Sequence, residues 1–377
     1  MECYFDNSAT TKPCPEAVEA VANAMTETYG NPSSLHKVGD QAAALLDRSR
    51  QILAEQFHCM PREVFFTGSG TEANNLAVFG TVRALRRRGN RIVTTCLEHP
   101  SVEEPMKRLE EEGFDVVRLP VDSYGNLSEE ELKNAITKDT ILVSLMLVNN
   151  EVGSIMPVKS ARKALQKSGA PAYLHVDAVQ GFGKLPVGPR ELGADLISVS
   201  GHKVHGPKGV GALYKKRDLH LAPYILGGGQ EENVRSGTQG MPAIAGFAAA
   251  VRAMGDLNAN REHVALVRKT LLDRLSDLDR LVLNSGPDAL PYILNVSLLG
   301  IPSEVLRNYL SEHGVYVSTG SACAKGHRSP VLTALGLPPE RIDSAVRISF
   351  SRTNTVEEAE YAADCIRAAV ETLRKHS

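Results

Sequence analysis

Between Glu63 and about Tyr214 the chain alternates short β-branched runs with helical patterns, and this alternation restricts the fold more than any other feature. VFFT is followed by a helical pattern over 72–88, RIVTTC by one over 101–112, and DVVRLPV comes next. Repeated strand, helix, strand order implies right-handed crossovers, and so a mostly parallel sheet with helices on its faces. The runs ILVSLMLV (141–148) and LISVS (196–200) are almost wholly apolar, as strands covered on both faces are. After Gly240 a long helical stretch runs through PAIAGFAAAVRAMGDL and RKTLLDRLSDL, then a less regular region ends in an amphipathic helix near 357–375. With 377 residues, 42% of them hydrophobic, the chain has room for more than one core. The predicted fold class is α/β. A large domain over 16–255 carries the parallel sheet, and residues 1–15 and 256–377 form a smaller α+β domain.

Charge narrows the partners. With 42 basic against 44 acidic residues the formal net charge is only -2, so no global field favours nucleic acid or an anionic membrane. The N-terminus has no basic stretch followed by a long apolar run, and no run of about 18 apolar residues occurs, which makes the cytoplasm the expected compartment. The six cysteines are scattered without a CxxC pair, a pattern of reduced thiols more than of disulfides or a zinc cage.

Three segments can carry chemistry. In FTGSGTEANN a Gly-rich turn leads into a helix, where backbone N–H groups of Gly70 and Thr71 and the Thr71 hydroxyl can hold a phosphate. In HVDAVQ, Asp177 ends an apolar strand run, the place where open α/β sheets bind ligands, and a buried carboxylate there needs a cation such as a protonated pyridine nitrogen. In SVSGHKVHGPKGVG, Lys203 follows the strand LISVS among glycines and histidines, where burial and neighbouring cations can lower its pKa and a neutral amine can form an imine with an aldehyde. Lys208, five residues on, reads as a surface or phosphate-contacting group. Taken singly these are an ordinary turn, a helix cap and a surface lysine; in combination they describe a pyridoxal phosphate site.

With these residues in view, the sequence resembles the NifS/IscS-type cysteine desulfurases, in the class V branch of fold-type I pyridoxal-phosphate enzymes. The resemblance runs colinearly through YFDNSATT, GNPSSLH, FTGSGTEANN, LEHPSV, VNNEVG, HVDAVQ, SGHKVHGPKGVG, GGGQEENVRSGT, STGSACAKG and VRISFS. It implies that Lys203 is the Schiff-base lysine and Asp177 the partner of the pyridinium nitrogen. His99 is then the imidazole stacked on the ring, able also to shuttle protons. Asn150 and Gln180 are similar to residues that bond the substrate carboxylate or ring region and the phenolic oxygen. The phosphate is held by Gly70, Thr71, Ser200 and His202. Thr238 matches a threonine supplied by the neighbouring subunit, so a homodimer is implied, and Arg347 matches the residue that grips the substrate carboxylate, for which a guanidinium fork is suited.

Cys323 distinguishes a desulfurase from its relatives. It lies in STGSACAKGHRSP, whose small residues and lack of periodicity read as a mobile loop, with Lys325, His327 and Arg328 able to favour the thiolate. The resemblance implies conversion of L-cysteine to alanine with sulfur passed to Cys323 as a persulfide, for delivery to a protein acceptor. That acceptor is an iron-sulfur scaffold or, since the chain lacks an extended tail after its last helix, a tRNA-thiolating sulfurtransferase. Three other readings remain at this level: a selenocysteine lyase, a class V aminotransferase, and a non-catalytic docking protein on the same fold.

Overall fold

The computed structural model describes residues 1–319 and 328–374. Among the described residues the strands are β1 (Cys3–Tyr4), β2 (Val64–Thr67), β3 (Arg91–Thr95), β4 (Asp115–Leu119), β5 (Thr140–Met146), β6 (Tyr173–Asp177), β7 (Leu196–Ser200), β8 (Gly211–Lys215), β9 (Leu281–Leu283), β10 (Ile293–Leu298), β11 (Val315–Tyr316) and β12 (Ala345–Ser349). Seven of them form one sheet in the order β2-β8-β7-β6-β5-β3-β4. Strands β3 to β7 pair in parallel, and β8 runs antiparallel to both β7 and β2. The apolar runs are explained by position: every residue of β5, β7 and β8 is buried, whereas β4, at the edge, leaves Asp115 exposed. Arg118 on that edge strand is held by Glu103 and Glu110, a charged covering that discourages further strand pairing.

The connecting helices Gly70–Leu85 and Pro100–Glu111 lie where the alternation puts them, and a further one, Val158–Ser168, joins β5 to β6. Helix Gly70–Leu85 is buried nearly all round and lies against β5, β7 and β8. Two elements differ from the sequence pattern. The stretch after Gly240 is two helices, Met241–Arg252 and Leu257–Arg274, because Gly255 takes a left-handed φ of 68° and Asp256 caps the second helix by accepting from Ala259 N–H at 2.8 Å. Helix Lys37–Phe57 has no counterpart in the pattern read from the sequence, since its buried stripe of Ala42, Leu46, Ser49, Leu53 and Phe57 is narrow and interrupted by polar residues.

Beyond the large sheet, β12, β10 and β9 form an antiparallel sheet with helix Ser303–Glu312 against β12, and helix Val356–Arg374 packs on that helix and on Leu257–Arg274. The N-terminal segment joins this part: β1 pairs in parallel with β11, and Asp6 bridges to Ser349 at the end of β12. From there it crosses to the large sheet, where Thr11 N–H donates to His202 O at 2.9 Å and Cys14 N–H to His205 O at 2.9 Å. The start of the chain therefore ties both sheets together at the segment bearing Lys203. No helix among the described residues is long and apolar enough to cross a membrane.

Candidate active site

The parallel strands end on a cavity of about 290 Å³. Asp177 is the last residue of β6, Ser200 the last of β7, and Lys203 closes the short turn Gly201–Lys203 that follows. His99 lies just beyond β3 and caps helix Pro100–Glu111, accepting from Ser101 N–H at 3.1 Å. Gly70 and Thr71 open the helix after β2, and Asn150 lies just beyond β5. All of these, with Gln180, His202 and Arg347, line the one cavity. This is the carboxyl end of the parallel strands, where ligands of open α/β sheets bind.

Thr238 is placed elsewhere. It is exposed and lines a separate surface depression with Gly68 and Arg235. Lys208 is exposed as well. Cys323, Lys325 and His327 lie outside the described residues. Arg328 is described, and makes a two-point pair with Asp343 at 2.7 Å on each side.

At one end of the cavity the head of helix Gly70–Leu85 is arranged for an anion. Ser69 caps it by accepting from Glu72 N–H at 3.1 Å, leaving the Gly70 and Thr71 N–H groups at the positive end of the helix dipole. The acid in that first turn, Glu72, is neutralised by Arg235 at 2.6 Å. A side chain in place of Gly70 would put its Cβ 2.9 Å from Val179 Cγ2 and 3.2 Å from Ser200 Cβ, so only glycine lets the helix head come this close to β7. Burial first, then Lys203 and Lys208, push His202 down to about 4, so it is a neutral donor at this end.

At the other end Asp177 accepts from Val179 N–H at 3.0 Å through Oδ1 and from Asn74 Nδ2 at 2.8 Å through Oδ2. The Lys203 amine donates to the Ser8 carbonyl and, at 2.9 Å, to that of Ala9. Ser8 O also accepts from Gln180 Nε2 at 2.9 Å, and Gln180 Oε1 accepts from the buried Lys184 at 3.2 Å. Lys184 is pushed down to about 7, by burial first and then by the charges of Lys203 and Arg347. His99 is held below its usual range by burial, with Lys203 adding to that effect and Asp177 opposing it. Three buried polar atoms of lining residues, Ser8 Oγ, Asn74 Oδ1 and Arg347 Nε, have no partner among the described residues, and such atoms in a cavity wall point to a polar occupant.

Sequence reasoning missed several of these groups. Asp6, Ser8, Asn74, Ser101 and Lys184 all fall inside or beside the quoted motifs, but only their contacts give them a part. The signal available was the run of amide and hydroxyl residues in DNSATT, EANN and HPSV, too polar for segments leading into a buried sheet.

The comparisons agree with this geometry. Residues 3–361 match the model of the family described as aminotransferase class-V. A "NifS/IcsS protein homolog" of Lactobacillus delbrueckii subsp. bulgaricus is 43% identical over 95% of this chain and 94% of its own length. The cysteine desulfurase IscS of Methanosarcina thermophila is 38% identical over 99% of this chain and 93% of its own. A solved NifS-like protein superposes with a TM-score of 0.93 at 37% identity, covering 99% of this chain and all of that one. The chain therefore belongs to the class-V aminotransferase family. Its branch is that of the NifS/IscS-type cysteine desulfurases, enzymes that use pyridoxal phosphate. The cavity fits that cofactor: its lining holds a helix head for a phosphate, a carboxylate for a ring nitrogen and an amine for an aldehyde.

Proposed function

We propose that this enzyme takes sulfur from L-cysteine onto Cys323 and passes it on as a persulfide to an acceptor protein, an iron-sulfur scaffold or a tRNA-thiolating sulfurtransferase. The observation that carries the reading is the convergence of Lys203, Asp177, His99 and Arg347 on one cavity. Bound pyridoxal phosphate supplies an aldehyde for the substrate amine and a ring that takes up the electrons left when the α-proton departs. The chain's own residues do the rest. Gly70, Thr71, Ser200 and His202 hold the phosphate, with Thr238 contributed by the second subunit of a homodimer. Asp177 keeps a proton on the ring nitrogen, and Gln180 bonds the phenolic oxygen. Lys203 tethers the cofactor and, once released, its amine carries the α-proton. Arg347 and Asn150 orient the substrate, the guanidinium taking the carboxylate. The Cys323 thiolate forms the new S–S bond as the substrate's C–S bond breaks, so the carbon skeleton leaves as alanine.

The same reading divides the chain into a cofactor-binding domain over 16–255 and a smaller domain of 1–15 and 256–377, and puts the enzyme in the cytoplasm. Cys3, Cys14, Cys59, Cys96 and Cys365 are all unbridged, which suits a reducing compartment. The deciding experiment is mass analysis of protein treated with L-cysteine. Added sulfur is expected on the peptide containing Cys323, and none in Cys323→Ser. Sulfur on a different cysteine, or full sulfide release by the variant, would overturn the assignment.

A further inference from the structure

Four polar side chains from three elements are joined end to end beside the cavity. Asn74, in helix Gly70–Leu85, donates from Nδ2 to Asp177 Oδ2 at 2.8 Å and to Ser101 Oγ at 2.8 Å. Ser101, in the first turn of helix Pro100–Glu111, places Oγ 2.8 Å from His99 Nδ1, and its backbone N–H donates to the same nitrogen at 3.1 Å. Asn75 secures the junction by donating to Ser101 O at 3.2 Å and to Thr71 O at 2.9 Å.

Counting hydrogens gives this chain a direction. A carboxylate only accepts, so the Asn74 amide must turn its nitrogen to Asp177, even though its own buried oxygen is then left without a partner among the described residues. The second amide hydrogen goes to Ser101 Oγ, which is thereby an acceptor toward Asn74. His99 Nδ1 already accepts from the Ser101 backbone N–H, so the single Ser101 hydroxyl proton is directed to the same nitrogen. The Ser101 backbone N–H can only donate. His99 Nδ1 thus receives two donors and cannot itself carry hydrogen.

We propose that Asn74 and Ser101 are positioning residues that fix His99 as the neutral imidazole with its proton on Nε2, the direction of the relay being set by Asp177. The inference rests on the placement of His99 at the cofactor ring in the function proposed above. Its consequence is that His99 offers a donor at Nε2, and an arriving proton must displace both Ser101 donors from Nδ1. His99 is then a fixed hydrogen-bond donor, and proton carriage falls to Lys203. The charged groups that face the imidazole are Asp177, which favours its protonation, and Lys203, which opposes it; burial, reinforced by Lys203, outweighs Asp177 and holds the imidazole below its usual range.

The test is nitrogen NMR on the full-length chain labelled with 15N-histidine, with pyridoxal phosphate and again after its removal, His99 being assigned by the signal lost in His99→Gln. The wild type should show the Nε2–H form in both states. Ser101→Ala removes one of the two donors to Nδ1 and should raise the His99 titration by about one pH unit, while Ser101→Thr should restore it. Asn74→Asp, of nearly equal volume, replaces the donor by an acceptor; the Ser101 hydroxyl then turns away, and with only the backbone N–H left on Nδ1 the His99 titration should rise as in Ser101→Ala while the Nε2–H form persists. An Nδ1–H wild type, or a titration unmoved in either Ser101→Ala or Asn74→Asp, would overturn the proposal. A protein with the expected tautomer that binds no pyridoxal phosphate would leave the relay standing and remove the functional reading.

Discussion

Arg347 Nη2 donates to Asp6 Oδ1 at 2.8 Å, joining the middle of β12 to the first residues of the chain. The guanidinium is buried, its side chain 2% exposed, and Nη1 donates to Asn150 O at 3.0 Å. A buried cation whose Nε has no partner among the described residues, in a cavity wall, is set to receive a carboxylate. Arg347→Lys should therefore raise KM for cysteine about 10-fold to 100-fold, the loss of a charge-assisted fork, while the bound cofactor keeps its visible absorbance. Asp6→Ala should act on stability, because it strands the Arg347 charge; the cost is about 3 kcal/mol, at the low end for a buried pair because Asp6 is a quarter exposed. Steady-state kinetics and melting curves separate the two effects. An unchanged KM in Arg347→Lys would remove Arg347 from the substrate site.

Glu98 carries a pH dependence of definite sign. It is buried, accepts from Thr95 Oγ1 at 2.7 Å and Met146 N–H at 3.0 Å through Oε1 alone, and leaves Oε2 without a partner among the described residues. Burial pushes its carboxyl up to about 8, a rise that the nearby Asp177 reinforces. The folded protein thus keeps a proton that the unfolded chain gives up near 4.3, about the ordinary glutamate value. Glu98 contributes stability fully below that point and loses it as pH rises through about 8. Glu98→Gln keeps the Oε1 acceptor and does not titrate. Its melting temperature should gain on the wild type by several degrees between pH 5 and pH 9, the shift expected from a few kcal/mol, roughly 1.4 kcal/mol for each pH unit below about 8. A constant difference over that range would mean that Glu98 ionises normally.

The parallel sheet was legible because β5 and β7, covered on both faces, leave unbroken apolar runs in the sequence. Asp177 and Lys203 were legible for the same reason: each is a charged residue at or just beyond the end of such a run. Helix Lys37–Phe57 was not, although its buried positions 42, 46, 49, 53 and 57 recur at helical spacing, because small and polar residues, Ala42 and Ser49, stand among the apolar ones. Asn74 and Ser101 were not legible either. Their part depends on contacts between residues 27 and 103 positions apart, and a local pattern holds no record of which amide will face which carboxylate. Asp6 is the extreme case, 341 positions from its partner.

Lys184 gives the opposite pH signature to Glu98 and bears on the active site through Gln180. Its amine, over the Tyr292 ring at 5.6 Å, donates to Gln180 Oε1, which leaves Gln180 Nε2 to donate to the Ser8 carbonyl shared with Lys203. Burial pushes the amine down to about 7, with Lys203 and Arg347 adding to the effect. The unfolded chain holds this proton up to about 10.4, so from about pH 7 to pH 10 the unfolded state binds more protons and stability rises with pH. Below 7 the cost of charging a buried amine is present in full. Lys184→Met keeps the length and the contact with the ring but does not titrate. Measured against this variant, the wild type should gain on the order of a few kcal/mol as pH climbs through that window, whereas Glu98 has completed its own change by about 8 and in the other direction. Denaturant midpoints at pH 6, 8 and 10 decide the matter: parallel curves for wild type and Lys184→Met would show that Lys184 keeps its proton in the folded protein, and that Gln180 is oriented by a charged amine at every pH.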